Sequence, residues 1–202
     1  EANGGKETPM VQFLTTMFNK VTDARFINRV GGFPSTLESL FSLAQDKDKS
    51  IHSLLSKIMT WSMIIYYPLE HTWLLSTFSN KLINIDGDKW SMWSCRAWAV
   101  YVIADLVGTF LRIKALSKAL ARIQSKKVDA TEKERKEMEE KRKHLYIWST
   151  CALSDLVMAL HWSVEEGPVS TKQICAVGIY GGLASLYLKF IKSAGGADSD
   201  DE

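Results

Sequence analysis

Proline is scarce in this chain, four residues in 202, so little stops helices from running long. Cysteine is scarce too. Cys95, Cys151 and Cys175 are odd in number and widely separated, with no CxxC pair and no histidine at metal-ligand spacing. That excludes a zinc site and a disulfide framework and fits a reducing, cytosol-facing environment. The formal net charge is only +2, and no Lys/Arg cluster is interleaved with aromatics, so no nucleic-acid partner is expected. Catalytic signatures are missing as well. Glu70-His71 opens like a zinc-protease motif, but Leu75 stands where the second histidine belongs. Gly178 and Gly181 belong to neither a phosphate-binding loop nor a dinucleotide fingerprint, because no strand precedes them and no Lys-Ser/Thr follows. There is no Gly-x-Ser-x-Gly elbow. No catalytic, cofactor-binding or metal-binding residue is therefore assigned, and the chain does not read as an enzyme.

What is present is apolar and aromatic: 46% hydrophobic residues, with seven Trp, eight Phe and six Tyr. The length suits one ordinary domain or a few membrane-associated helices with tails. The organising stretch is Gln173 to Phe190 (QICAVGIYGGLASLYLKF), uncharged as far as Leu188. A bilayer core of roughly 30 Å takes about 17 to 25 mostly apolar residues, and this segment meets only the lower limit. Gly178, Gly181, Gly182 and Ser185 recur at helical spacing and make one small-residue face, suited to close helix packing in membranes. A buried core helix of a soluble bundle is the alternative. Tyr180, Tyr187, Lys189 and Lys192 form an interfacial, basic exit.

The spacing predicts an amphipathic helix from Met10 to Val30, with Leu14, Met17, Phe18 and Val21 as candidate membrane-inserting residues. Packing of that stripe on a neighbouring helix is the competing reading. Gly31, Gly32 and Pro34 break the pattern, and a Ser35-x-x-Glu38 capping box starts the next helix. A third helix from Ile51 is expected to stop at Tyr66-Tyr67-Pro68 and to resume briefly at Leu69. Asn80 to Lys89 reads as a connection turning at Asp86-Gly87. The chain then divides into a disordered N-terminus (1–9), an amphipathic and hydrophobic helical region (10–113), a charged helical loop (114–144), a C-terminal hydrophobic helical hairpin (145–192) and a disordered acidic tail (193–202). Glu1 to Pro9 is polar and short and shows no secretory signal. The fold class is all-α, a membrane-associated bundle of amphipathic and hydrophobic helices. Asp105, Asp155 and His161 interrupt apolar stretches; they line a polar path if those helices cross a membrane, and otherwise mark an aqueous rim.

Several stretches together resemble the peroxin-11 family of peroxisomal membrane proteins, in particular its gamma-like and fungal C-like branch. They are FPSTLESLF (Phe33 to Phe41), IIYYPLEHTWLL (Ile64 to Leu75), WSCRAWAVYVIADL (Trp93 to Leu106) and the closing VGIYGGLASLYLKF. The match lies in order and spacing across most of the chain. The resemblance implies a protein of the peroxisomal membrane that promotes elongation, proliferation and fission of the organelle through amphipathic helix insertion. It also implies membrane lipid, further copies of the chain (a homo-oligomer) and peroxisomal fission factors as partners. A pore for small metabolites is the alternative it carries. By position, Met10 to Val30 would be the curvature helix, and the Gly178, Gly181, Gly182 face the membrane or self-association segment.

Overall fold

The computed structural model describes residues 8–78, 85–125 and 131–196, which form six helices and, among those residues, no strand. The disorder expected for 1–9 and 193–202 falls mostly outside them, although helix already begins at Pro9 and continues to Gly196. Helix α1 (Pro9–Val30) starts at Thr8, whose side chain accepts a hydrogen bond from the Val11 amide, with proline in the first turn where no N–H is needed. One residue, Gly31, links it to α2 (Gly32–Gln45).

The Ser35–Glu38 capping box does not form. Helix α2 begins three residues earlier, and Ser35 Oγ donates to the Gly32 carbonyl at 2.9 Å. A box is useful only where a helix end needs it, and here the chain passes from α1 into α2 almost without leaving helical geometry. The expected stop before Pro68 is also absent. Helix α3 (Ile51–Phe78) runs through it. The proline removes one ladder bond, but side chains on both sides of it are anchored to other helices, and tertiary packing of this kind overrides local propensity.

Helix α4 (Gly87–Gln124) is capped by Asp86, which accepts from the Lys89 amide. Helix α5 (Glu132–His161) opens with a reciprocal capping box between Thr131 and Glu134. Helix α6 (Thr171–Gly196) opens with the same device, Ser170 N–H donating to Gln173 Oε1 at 2.9 Å and the Gln173 amide to Ser170 Oγ at 3.4 Å. The charged segment 114–144 is thus less a loop than the adjoining ends of α4 and α5, with 126–130 outside the described residues.

From α3 onward successive helices are antiparallel. Gly87 meets Ser76 and Gly108 meets Leu55 between α3 and α4. Trp148 meets Asp105 and Ser163 meets Arg96 between α4 and α5. Gly181 meets Ser154 and Gly178 meets Met158 between α5 and α6. Among the described residues α4, α5 and α6 pack on their chain neighbours, while α3 packs on α2 and α4 and is also touched by α1. Helices α3 to α6 therefore form an open row one helix thick, within the all-α fold expected.

The seams of this row are small and polar. Ser53, Ser62, Glu70, Ser76, Ser94, Asp105, Thr109, Ser154 and Ser163 are buried, together with Ala99, Ala104, Ala152, Ala159 and Cys151. Many of the large apolar side chains point outward, although Leu55, Val102, Ile113, Leu120, Ile174 and Leu188 are buried. No helix among the described residues is long and apolar enough to cross a membrane. The uncharged run in α6 falls short because Gln173, its glycines and its serine dilute it.

Candidate membrane interface

In α1 every residue from Met10 to Val21 is exposed. Leu14, Met17, Phe18 and Val21 are from 48% to 69% accessible, so this apolar stripe does not pack on a neighbouring helix.

The row continues the pattern. Along α3 the exposed residues Ile51, Leu54, Ile58, Trp61 and Ile65 recur every three to four positions, and Leu75 is exposed further on. On α4 the exposed stripe is Trp93, Val100, Ile103, Val107 and Phe110, roughly 26 Å of helix at 1.5 Å per residue. Arg96 lies over the Trp93 ring at 4.5 Å from its centroid, and its Nε donates to the Ser163 carbonyl at 3.0 Å. On α6 the exposed set is Ile179, Tyr180, Leu183, Leu186, Tyr187 and Phe190. Water-soluble helices put such stripes against a core. Here the seams are rich in small and polar residues while many of the large apolar ones lie on the outer faces, an arrangement also met in helices that pack in an apolar solvent.

The four small residues of α6 divide. A Cβ on Gly181 would lie 2.9 Å from Ser154 Cβ, and one on Gly178 would lie 3.5 Å from Met158 Sδ, so these two glycines allow the close approach of α5. Ser185 is half-buried on the same side. A Cβ on Gly182 would meet nothing within 4 Å.

The polar residues of the apolar segments lie along the α4–α5 seam. Asp105 is buried; its Oδ2 accepts the Trp148 indole N–H at 2.8 Å, and Arg112 Nη2 stands 3.6 Å from its Oδ1. Asp155 is half-buried on α5. His161, at the end of α5, packs its ring so closely on Gly167 that no Cβ fits there.

Beyond Ile113 the α4–α5 pair changes character. Lys114, Lys118 and Arg122 are exposed on α4, while α5 carries Arg135 bonded to Glu132 and Glu139. Leu120 is buried in the seam. This end of the pair is clothed for water.

The elbow between α1 and α2 is fastened to α3 at residues 66–71. Arg29 Nη1 donates to the Tyr66 hydroxyl at 2.8 Å and pairs with Glu70 Oε1, which the Tyr66 hydroxyl also contacts. The Glu70 side chain is only 5% accessible, and its Oε2 has no hydrogen-bond partner among the described residues. Burial pushes the Tyr66 phenol far above its ordinary range, Arg29 opposing and Glu70 adding to the shift. Burial alone would lower the Arg29 pKa, but Tyr66 and Glu70 outweigh it and the net shift is upward. Just past the link, Gly32 lies under the Tyr67 hydroxyl, where a Cβ would overlap it, and Phe33 stands edge-on to the Tyr67 ring at 6.0 Å.

Periodicity gave no warning of this cluster, since Arg29 and Glu70 are far apart in sequence and the arginine reads equally well as a headgroup contact. The available signal was Glu70 itself: one acid on an otherwise apolar face needs a cation.

A family model described as Peroxisomal biogenesis factor 11 (PEX11) matches residues 2–189. No curated protein and no solved structure matches the chain.

Proposed function

The chain belongs to the peroxisomal biogenesis factor 11 family, and from that premise we propose that it shapes the membrane by driving α1 into one leaflet while the row of α3 to α6 anchors it in lipid. Membership gives the coarser role, peroxisome biogenesis and proliferation at the peroxisomal membrane. The family is one of biogenesis factors and not a known enzyme family.

One observation carries the proposal: the apolar stripe of α1 has no protein partner from Met10 to Val21. Burying a Leu, Met, Phe or Val side chain is worth about 1.5–3 kcal/mol each, so four of them supply a binding energy that water leaves unused. Seated about 5–10 Å into the headgroup boundary, such a helix spreads one leaflet relative to the other. The outward stripes of α3, α4 and α6 support anchoring, because lipid satisfies them without any further fold.

Self-association concentrates the wedges. Gly178 and Gly181 face α5, so the contact available to a second copy is the flank of that face, where open Gly182 sits beside Ile179 and Leu186. Fission factors are the expected partners in the step that follows elongation. The charged ends of α4 and α5 give them a water-exposed surface.

The test is liposome tubulation by the chain with Leu14, Met17 and Phe18 all replaced by Asp. Tubules disappear while the protein still floats with the vesicles through the rest of the row. Tubulation at the unaltered level would overturn the assignment of α1.

A further inference from the structure

We infer that the segment Tyr66–His71 is the joint that sets the direction in which α1 leaves the helix row, with Glu70 as its positioning residue. The inference rests on the wedge reading of α1 and adds what aims the wedge. A helix of 22 residues is a lever of roughly 33 Å. An angular error of ten degrees or so at its base therefore moves the far end by about 6 Å, comparable to the depth at which an interfacial helix sits. An insertion helix needs a fixed base.

The structure places such a base at one spot. Met10 to Val21 are exposed throughout, and Arg29 ties the C-terminal end of α1 to α3. Arg29 stands on one side of the single linking residue, Gly31, and Gly32 on the other. Arg29 is gripped by Tyr66 and Glu70, and Gly32 by Tyr67. Both grips come from one short piece of α3, in the YYPLEH stretch. His71 completes it by packing its ring on Tyr67 at 5.8 Å.

The chemistry suits a joint better than a surface decoration. Glu70 is almost wholly buried, and the Arg29 guanidinium and the Tyr66 hydroxyl both meet its Oε1. Such a pair is directional, tolerates little displacement, and is lost as a unit when one member is removed. Gly32 adds a steric stop, because any side chain there displaces the Tyr67 ring.

Two spin-label pairs test the inference in the full chain in micelles, with the three native cysteines replaced by alanine. One pair, at Asn19 and Ser56, reports α1 against α3. The other, at Ser56 and Val107, reports α3 against α4. In Glu70→Gln, which keeps the shape and removes the charge, the Asn19–Ser56 distance distribution widens by about twofold and the Ser56–Val107 distribution stays as it was. Gly32→Leu, which leaves the charges alone, does the same. An unchanged Asn19–Ser56 distribution in both variants overturns the inference. So does equal widening of both pairs, since that is general loosening.

The two readings fail separately. If the Asp triple variant still makes tubules while Glu70→Gln widens the distribution, the joint stands and the wedge falls. If the triple variant is inactive and neither joint variant moves α1, the wedge stands and the joint falls.

Discussion

Trp148 of α5 donates its indole N–H to Asp105 of α4 at 2.8 Å, a hydrogen bond that crosses the seam between the two longest helices. In sequence Asp105 looks like a flaw in an apolar run; in the fold it is a pin. The carboxylate is buried, and Arg112, bonded to Thr109 at 3.1 Å, brings a positive charge to its other oxygen. A buried acid with these two partners holds α4 and α5 in one register. It also takes the central candidate for a polar path and binds it between helices.

Replacing Asp105 separates the two contributions. Asp105→Leu leaves the indole N–H unpaired and is expected to cost about 1–3 kcal/mol, the usual penalty for orphaning a buried donor. Asp105→Asn keeps an acceptor for Trp148 and gives up the partly exposed Arg112 contact, so it is expected to cost less than about 1 kcal/mol. Thermal unfolding in detergent, followed by circular dichroism, reads both. Equal losses would mean that the indole bond does not matter.

The glycines of α6 give a second contrast. A methyl group on Gly181 would press on Ser154 Cβ at 2.9 Å, backbone-near atoms that cannot easily move. Gly181→Ala is expected to part α6 from α5 and lower the melting temperature. Gly182→Ala meets open space and gains helix propensity of up to about 1 kcal/mol. It is expected to leave the monomer intact or firmer, while crosslinking between copies in liposomes declines. The same direction of change in both variants would contradict this division of the small-residue face.

Low pH is expected to fray the start of α5 first. The Thr131 backbone N–H, and then its hydroxyl, hold the Glu134 carboxylate below its ordinary range; Arg135 does so for Glu132. A carboxylate whose pKa is lower folded than unfolded contributes its full stabilisation above the unfolded value of about 4.3, and loses it as pH falls through the folded value. Hydrogen exchange at the amides of residues 132–136 is therefore expected to quicken as pH falls below 4 or so, after correction for the intrinsic rate. Protection that stays level over that range would show that the box does not hold this turn.

Sequence periodicity carried much of the fold, and its failures have physical causes. The helix over α1 and the hairpin of α5 with α6 are legible, because one residue in three or four is apolar and the turn at Glu165–Pro168 is marked. Ser35-x-x-Glu38 reads as a capping box and caps nothing, while the box that forms at the start of α5 joins Thr131 and Glu134. Gly32, set against Tyr67, is where α2 starts, three residues early. Pro68 reads as a stop and is not one, since Tyr66 and Glu70 tie that part of α3 to Arg29. The glycine face of α6 was visible as a face, but nothing local tells that its partner is Ser154 and Met158. Hardest to read was which way each stripe points. Periodicity reports that a helix has an apolar side, and only the contacts show that many of the large side chains face outward while serine, alanine and the buried acids share the seams with a few leucines and isoleucines.

The central claim is that lipid is the solvent of those outward faces, and collision measurements on single spin labels in liposomes test it most directly. Labels at Ile103 on α4 and Leu183 on α6 are expected to collide readily with oxygen dissolved in the bilayer and rarely with a water-soluble nickel chelate. A label at Lys118, on the charged end of α4, is expected to do the reverse. If Ile103 and Leu183 meet the chelate as often as Lys118 does, or are shielded from both quenchers, the faces are not in lipid and the account is wrong.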